Sequence, residues 1–372
     1  MEKEILSKYV CTNPFNYLDV QSDSQWVCCP SWANINIAAE THTPDPMSDQ
    51  HHHDVASMQA WTSNAAVDIR KSVLDGTYKY CDHSVCPSLS LLLSTGRATS
   101  NFIPIEIFKE KYNIADEKDI ISNPTLPETI VYGFDRSCNL KCPSCRPAVV
   151  PNDDVDSIAH IKKIRQLAAI ENCYSDSAKK LLITGSGDPF YSKLYRDYLI
   201  NFDETKYPNL EEIQIITNGI LLTEKMWNSL RAKKYIKTIE ISIDAASKHT
   251  YEHVTRLNGD WDRLLENINF LKTQPDIKLM IFSMVVSENN FIEVIKFYEL
   301  ITELMLGSPM EYVINYRQIV HWSSGAYSKL QIRQLSIFDQ NHPRHVEFIP
   351  EIKKIHNLSR VSHNFHHLME NK

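Results

Sequence analysis

Hydrophobic and polar positions follow two different periods along the chain from residue 129 onward. Short runs rich in β-branched and aromatic residues are typical of strands, and segments with apolar residues three or four positions apart are typical of amphipathic helices. The predicted strands span residues 129–134, 181–184, 212–217, 238–243, 278–286 and 311–319. The predicted helices span residues 155–169, 191–201, 223–232, 261–271 and 291–304. This alternation predicts an α/β fold of parallel βα units joined by right-handed crossovers.

The composition changes at residues 121–127, a proline-containing stretch. It separates a cysteine-rich N-terminal part from the alternating strands and helices. We therefore expect a small N-terminal cysteine-rich domain with its linker at 1–125, and a domain of six βα units at 126–325. A C-terminal helical extension is expected at 326–372.

Length and charge limit the functions that are open to the chain. Its 372 residues, 43% hydrophobic and 23% charged, suit a globular protein with one large and one smaller domain. The net charge of -7 argues against coating a nucleic acid. The N-terminus has no secretory signal pattern, and no apolar run approaches the roughly 20 residues that span a bilayer. We expect a cytoplasmic protein without a membrane or nucleic-acid partner, in which the nine cysteines are metal ligands or catalytic groups.

Three of these cysteines directly follow the first predicted strand. Cys138, Cys142 and Cys145 have the spacing C-x3-C-x2-C. Three thiolates leave one iron of a [4Fe-4S] cube without a protein ligand, whereas closed clusters use four cysteines. A zinc site and three unrelated cysteines are the alternatives, although structural zinc sites usually have four ligands. The chemistry of α/β barrels takes place at the C-terminal ends of the strands, which is where this segment begins.

This spacing resembles the cluster motif of the radical S-adenosylmethionine (SAM) superfamily. The resemblance implies a partial (β/α)6 TIM-like barrel and a [4Fe-4S] cluster whose open iron chelates SAM. It also implies reductive cleavage of SAM to methionine and a 5'-deoxyadenosyl radical. An electron donor such as flavodoxin or ferredoxin is then a partner. Ser144 departs from the family pattern, which often has an aromatic residue before the third cysteine.

Polar residues and glycines follow the later predicted strands, in segments that resemble the SAM-binding motifs of the same family. Glycines let the backbone approach a cofactor closely, and a guanidinium is a bidentate donor to a carboxylate. The resemblance implies that the cofactor is bound by Gly185, Ser186, Gly187, Asp188, Asn218, Ser242, Asp244 and Arg256. The alternatives are ordinary turn residues for the glycine segment and a solvated charge at a helix end for Arg256. No residue that acts directly on a substrate is predicted.

The remaining cysteines of interest precede the barrel. Cys11, the pair Cys28 and Cys29, Cys81 and Cys86 stand in segments that resemble the auxiliary-cluster module of SPASM/twitch radical SAM proteins. In that family the module usually follows the barrel, and here the hairpin glycine is missing. The resemblance implies a second [4Fe-4S] cluster, with Cys28 favoured over Cys29 as a ligand. A four-cysteine zinc site is the alternative, because cysteine spacing alone does not distinguish zinc from iron–sulfur.

The auxiliary module favours a radical SAM oxidoreductase that abstracts hydrogen from a peptide or protein substrate, leading to oxidative modification or crosslinking. The first alternative is a radical SAM dehydrogenase or epimerase of a sugar or another small metabolite. The second, from another class, is a non-catalytic iron–sulfur or zinc protein.

Overall fold

The computed structural model describes residues 2–22, 24–28, 35–38, 45, 47–83, 86–114, 119, 125–183, 186–320, 328–365 and 368. Cys29 and Gly185, both predicted site residues, lie outside these ranges. The fold is mixed α/β with a large, mainly parallel sheet. Two compact units form from interleaved segments: unit 1 holds 1–135, 153–182 and 203–211, and unit 2 holds 136–152, 183–202 and 212–372. Among the described residues no helix is long and apolar enough to cross a membrane.

Unit 1 contains the N-terminal helices and two groups of strands. Its helices are α1 Glu2–Leu6, α2 Asn13–Asn16, α3 Gln50–Trp61, α4 Asn64–Leu74, α5 Pro87–Thr95, α6 Ile105–Tyr112 and α7 Ile158–Tyr174. The strands from the start of the chain to residue 183 are β1 Tyr9–Cys11, β2 Tyr17–Gln21, β3 Ser24–Trp26, β4 Phe102–Pro104, β5 Thr129–Tyr132 and β6 Lys180–Ile183. β1 pairs antiparallel with β4, while β2 forms a hairpin with β3 and pairs parallel with β5.

Unit 2 contains the later strand–helix repeats. Its helices are α8 Lys193–Ile200, α9 Glu224–Ser229, α10 Lys248–Thr250, α11 Trp261–Leu271, α12 Val294–Leu304, α13 Lys329–Leu335 and α14 His345–Ile355. Its strands are β7 Glu212–Thr217, β8 Ile236–Ser242, β9 Leu279–Val286, β10 Glu311–Gln318 and β11 Val361–His363, in the order β11-β10-β9-β8-β7. Each neighbouring pair in this order is parallel.

All six predicted strands form, five of them with shifted ends, and the predicted helices are present, most with shifted ends or local breaks. The predicted helix at 223–232 ends at Ser229, because Leu230 is extended, and a 3-10 turn follows at Arg231–Tyr235. The predicted C-terminal extension contains α13 and α14 but also the short strand β11, which the sequence analysis did not anticipate. The domain boundaries at 125 and 325 remain a prediction.

The two faces of unit 2's sheet differ in chemistry because side chains alternate along a strand. On the outer face, the hydroxyl of Tyr316 donates to the carbonyl of Val294 at 2.7 Å, so this face packs on α12. The opposite, inner face carries Glu240 of β8, Ser283 of β9 and Arg317 of β10. Ser283 and Arg317 both donate to a carboxylate oxygen of Glu240, at 2.5 and 2.9 Å. The inner face therefore contains a polar cluster, and it lies below the strand ends where the predicted site residues gather.

Candidate metal and cofactor site

The three closely spaced cysteines lie on one loop of unit 2. The backbone N–H groups of Cys145 and Arg146 both donate to the carbonyl of Cys142, at 2.9 and 2.8 Å, which closes a tight turn. Cys138 is fixed on its other side by a two-way backbone bridge to Val150. Cys138 and Cys142 are buried, and Cys145 is partly exposed. The loop thus brings three thiols together and leaves one side accessible.

Burial is the largest influence on the pKa of two of these thiols, those of Cys138 and Cys142. It raises the pKa of Cys138 to about 11, against the opposing charge of Arg146. It also raises the pKa of Cys142, where Arg256 opposes it. Without a metal these two cysteines are neutral thiols, so iron binding must displace their protons.

The described residues contain no group of three or more His, Cys, Asp or Glu side chains arranged around one metal ion. Ligands of a single zinc ion converge to about 2.3 Å from the metal. Each thiolate of a [4Fe-4S] cube instead binds a different iron. The loop therefore differs from a preformed single-ion site.

Arg146 ties this loop to the segment that follows β6. Its side chain donates to the carbonyls of Arg136 and Ser186, both at 2.7 Å, and to the sulfur of Cys145 at 3.3 Å. The residue is only 4% exposed. Ser186, a predicted cofactor residue, is thus joined to the cysteine loop through its backbone carbonyl.

Asp188 is buried within the same group of loops. Its carboxylate accepts hydrogen bonds from the hydroxyl of Thr217 and from three backbone N–H groups, those of Phe190, Tyr191 and Asn218, at 2.7 to 3.2 Å. Burial raises the pKa of the Asp188 carboxyl, and these donors oppose the rise. Both carboxylate oxygens therefore accept hydrogen bonds from the protein, so Asp188 holds these loops together. Its predicted contact with SAM remains a prediction.

Asn218 connects the end of β7 to the cysteine loop. Its side-chain amide donates to Oδ1 of Asn139 at 2.9 Å and lies 4.0 Å from the sulfur of Cys138. Ser242, at the end of β8, is paired in register with Ser283 of β9. The structure thus places Asn218 beside the thiols and Ser242 at the rim of the inner face.

Asp244 and Arg256 form an ion pair that reaches the cysteine loop. Nη2 of Arg256 lies 2.8 Å from Oδ2 of Asp244, and Nη1 donates to the sulfur of Cys142 at 3.5 Å. Asp244 has a left-handed backbone, with φ of 60°, and accepts the backbone N–H of Val285 at 2.7 Å. Burial lowers the pKa of Arg256, but Asp244 and Cys142 more than offset this, so the guanidinium remains a cation. The predicted pair is therefore assembled next to a predicted cluster ligand.

Sequence analysis missed one residue of this group, Tyr251. It begins a π-helical turn, Tyr251–Thr255, that ends at Arg256. Its ring is fully buried against Trp261, and its hydroxyl has no hydrogen-bond partner among the described residues. Within the same part of the chain, Nε of Arg256 is also buried without a partner. Buried donors close to Cys142 fit a bound group with acceptor atoms, such as the predicted cluster and SAM.

A small cleft opens between the cysteine loop and the ends of β8, β9 and β10. Its wall includes Ser144, Asp244, Val285, Asn290 and Ile319. The amide of Asn290 donates to the backbone carbonyls of Asp244 and Val285, both at 2.9 Å, and so fixes this rim. A larger open groove between α9 and α11 contains none of the predicted site residues. The cleft therefore adjoins the predicted site residues, and its volume of about 20 Å³ holds little more than one water molecule.

Three of the N-terminal cysteines lie together in unit 1. Cys11, Cys81 and Cys86 interact electrostatically with one another, and burial raises the pKa of Cys11 and of Cys81 to about 12. The sulfur of Cys11 accepts from the amide of Asn101 at 3.6 Å, and that of Cys28 accepts from Asn13 at 3.7 Å. The auxiliary metal site remains a prediction, with Cys29 outside the described residues.

Comparison with known proteins identifies the central part of the chain. Residues 134–301 match the model of the Radical SAM superfamily, so this stretch is a radical SAM domain. The chain is 27% identical over 170 residues to GTP 3',8-cyclase of Clostridium perfringens (strain 13 / Type A), covering 45% of this chain and 49% of that protein. It is 32% identical over 134 residues to molybdenum cofactor biosynthesis protein 1 of Drosophila melanogaster, covering 36% and 22%. The chain thus spans at most about half the length of these relatives.

Among solved structures, Streptococcus suis SuiB bound to precursor peptide SuiA aligns over 96% of this chain and 71% of that chain. The TM-score is 0.43 and the sequence identity is 14%. The radical SAM domain predicted from the cysteine spacing is confirmed by the family match. That match begins at residue 134, after the N-terminal cysteines, so the SPASM/twitch-like module stays a prediction.

Proposed function

We propose that the protein is a radical SAM enzyme whose cofactor site lies at the strand ends of unit 2. One observation carries the proposal: the three-cysteine loop has the Asp244–Arg256 ion pair directly against Cys142. When bound at this loop, a [4Fe-4S] cluster supplies the electron that cleaves SAM to methionine and a 5'-deoxyadenosyl radical. The predicted reductant is a flavodoxin or ferredoxin.

The residues of this chain have separable tasks in that chemistry. Cys138, Cys142 and Cys145 hold iron as thiolates and leave one iron without a protein ligand. Arg256 is already paired through Nη2 and Nη1, and its buried Nε–H, which has no partner among the described residues, is available as a donor for a cofactor carboxylate. The side-chain amide of Asn218 lies next to the sulfur of Cys138.

The test is reductive SAM cleavage by the full-length chain, reconstituted with iron and sulfide without oxygen. The wild type is expected to form 5'-deoxyadenosine with dithionite as reductant, measured by liquid chromatography. Replacing Cys138, Cys142 and Cys145 together with Ala should abolish this product. The matched control is Cys173→Ala, since Cys173 belongs to α7 of unit 1, and it should cleave SAM at the wild-type rate. Cleavage by the triple variant would refute the proposal.

A small polar metabolite is the substrate class we favour. The inner face presents Arg317, whose side chain is 45% exposed while it pairs with the buried Glu240. This half-exposed guanidinium suits one carboxylate or phosphate group of a substrate. The relatives named for GTP also support a metabolite as the substrate class. We therefore propose an anionic metabolite that carries a carboxylate or a phosphate group.

A peptide or protein substrate, modified oxidatively or crosslinked, is the second candidate. It is favoured by the three thiols gathered in unit 1, because a second cluster there would accept the electron left after hydrogen abstraction. The SAM cleavage assay distinguishes the two candidates when cell extract is separated by ultrafiltration. For a metabolite, the low-molecular-weight fraction should stimulate 5'-deoxyadenosine formation, and Arg317→Gln should remove that stimulation but not the unstimulated cleavage. If only the fraction that contains peptides and proteins stimulated 5'-deoxyadenosine formation, the peptide or protein substrate would be favoured instead.

A further inference from the structure

The hydroxyl of Tyr251 is a buried polar group close to the cysteine loop. The side chain is completely buried, and its oxygen makes no hydrogen bond among the described residues. A buried donor left without a partner destabilises the folded protein. A protein keeps such a buried donor where it donates a hydrogen bond to a bound group that is not part of the protein chain.

The turn that follows Tyr251 connects it to Arg256, which contacts the cysteine loop. The backbone N–H of Arg256 donates to the carbonyl of Tyr251 at 2.8 Å, closing the wide π turn between them. Turns of this kind are rare and occur frequently at functional sites. The two side chains interact electrostatically with each other and with Cys142. The turn thus places the guanidinium of Arg256 on the sulfur of Cys142 and keeps Tyr251 within electrostatic range of the same cysteine.

Two features keep the Tyr251 ring in this position. Its ring packs against Trp261 with centroids 5.3 Å apart. A Cβ added to Gly259 would come within 2.4 Å of the ring and 2.6 Å of the carbonyl of Arg256. The chain therefore has a glycine where any side chain would displace the tyrosine or the turn.

Tyr78 of unit 1 provides a contrast to Tyr251. Tyr78 also lies among cysteines, but its hydroxyl accepts the backbone N–H of Cys11 at 3.1 Å and donates to the carbonyl of Tyr9 at 2.8 Å. Tyr78 is thus fully used by the protein, whereas Tyr251 has its donor available. Arg256 already directs one N–H to the sulfur of Cys142.

We propose that Tyr251 and Arg256 are positioning residues that donate hydrogen bonds to the Cys142 side of the bound cluster and thereby raise its reduction potential. This inference rests on the proposed function. Donors to cluster sulfur stabilise the more negative, reduced state, and hydrogen bonding to sulfur is one of the factors that set cluster potentials. Tyr251 and Arg256 would make reduction by a biological donor easier, while Asp244 holds the guanidinium in place.

The test is a dye-mediated redox titration of the reconstituted full-length protein, followed by electron paramagnetic resonance. The signal that changes on adding SAM identifies the cluster under study. Tyr251→Phe removes one oxygen and keeps the ring, so folding should be retained. The ratio of reduced to oxidised cluster at a fixed potential should fall about tenfold, which for a one-electron couple is a shift of about 59 mV to lower potential.

The control is Tyr316→Phe, which removes another buried tyrosine hydroxyl on the outer face of the sheet and should leave the potential unchanged. A second variant, Asp244→Asn combined with Arg256→Gln, removes both charges together and should also lower the potential. A wild-type potential in Tyr251→Phe would overturn the role of the tyrosine. Failure of the wild type to bind iron would instead refute the proposed function, and the inference with it.

Discussion

Asp244 is the residue on which the arrangement of the site depends most directly. Its side chain is 5% exposed, and it pairs with an Arg256 side chain that is 12% exposed. Removing one partner of a buried ion pair leaves an uncompensated charge, which typically costs about 3 to 5 kcal/mol. Its left-handed backbone is a conformation that Asp and Asn tolerate better than most residues. The carboxylate charge can therefore be removed by substitution with Asn without adding backbone strain.

We expect Asp244→Asn to lower the free energy of unfolding of the metal-free protein by about 3 kcal/mol. The measurement is urea unfolding followed by tryptophan fluorescence. Asp262→Asn is the control, since Asp262 forms an exposed ion pair with Lys248, its side chain 73% exposed. Exposed pairs contribute about 0 to 1 kcal/mol, so this variant should unfold almost like the wild type. If both variants lost the same free energy of unfolding, Asp244 would not be the residue that stabilises the site.

For individual residues, the sequence predicted which residues belong to the site better than it predicted what each of them does there. The cysteine triad and Arg256 were predicted from motifs, and the structure brings both to one place. The four donors around Asp188 come from Phe190, Tyr191 and two residues at the end of β7. A motif does not reveal such a network, because it depends on how two strand ends meet. Tyr251 carries no sequence signal beyond its residue type, because its importance lies in burial without a partner.

Among the elements, the cysteine loop depends on Arg146 for its connection to the segment after β6. Hydrogen bonds that involve a charged group are worth about 1.5 to 3 kcal/mol, and Arg146 makes two to backbone carbonyls. Without them, the loop would lose its fixed relation to Ser186. Its cysteines would then have to be ordered at the moment of iron binding, at the expense of affinity.

Arg146→Met should therefore release iron faster than the wild type, by roughly tenfold for each 1.4 kcal/mol of lost order. Iron release is followed by the colour of a strong chelator added to the reconstituted protein. Lys141→Met is the matched control, because Lys141 lies on the same loop but is exposed. If both variants release iron at the wild-type rate, Arg146 does not hold the loop.

The regular strands and helices were the most predictable elements. Strand β7 and helix α11 have the predicted bounds, because alternation and an amphipathic stripe mark them along their whole length. The three-residue strand β11 was missed, since so short a segment has no measurable period. The π turn at Tyr251–Thr255 was also missed, because it differs from an α-helix by one residue per hydrogen bond and not by composition.

At the scale of the whole molecule, the cysteines that are predicted to bind metal are divided between the two units. Each group is predicted to have a different chemical task. Every described residue of the predicted SAM site belongs to unit 2, whereas Cys11, Cys28, Cys81 and Cys86 belong to unit 1. SAM cleavage should therefore not require the N-terminal thiols. Oxidative turnover of a substrate would require them, if they hold a second cluster that accepts an electron.

We expect the reconstituted wild type to hold about eight irons per chain, corresponding to two [4Fe-4S] clusters. Cys81→Ala combined with Cys86→Ala should reduce this to about four and keep 5'-deoxyadenosine formation at the wild-type level. Because metal-binding energy is often folding energy in small cysteine-rich domains, circular dichroism must first establish that the variant is folded. Zinc in unit 1, with four irons in the wild type, would contradict the second cluster and leave the first intact. Normal turnover by the folded variant would make the N-terminal site structural, and a redox-neutral rearrangement would then describe the reaction better than an oxidation.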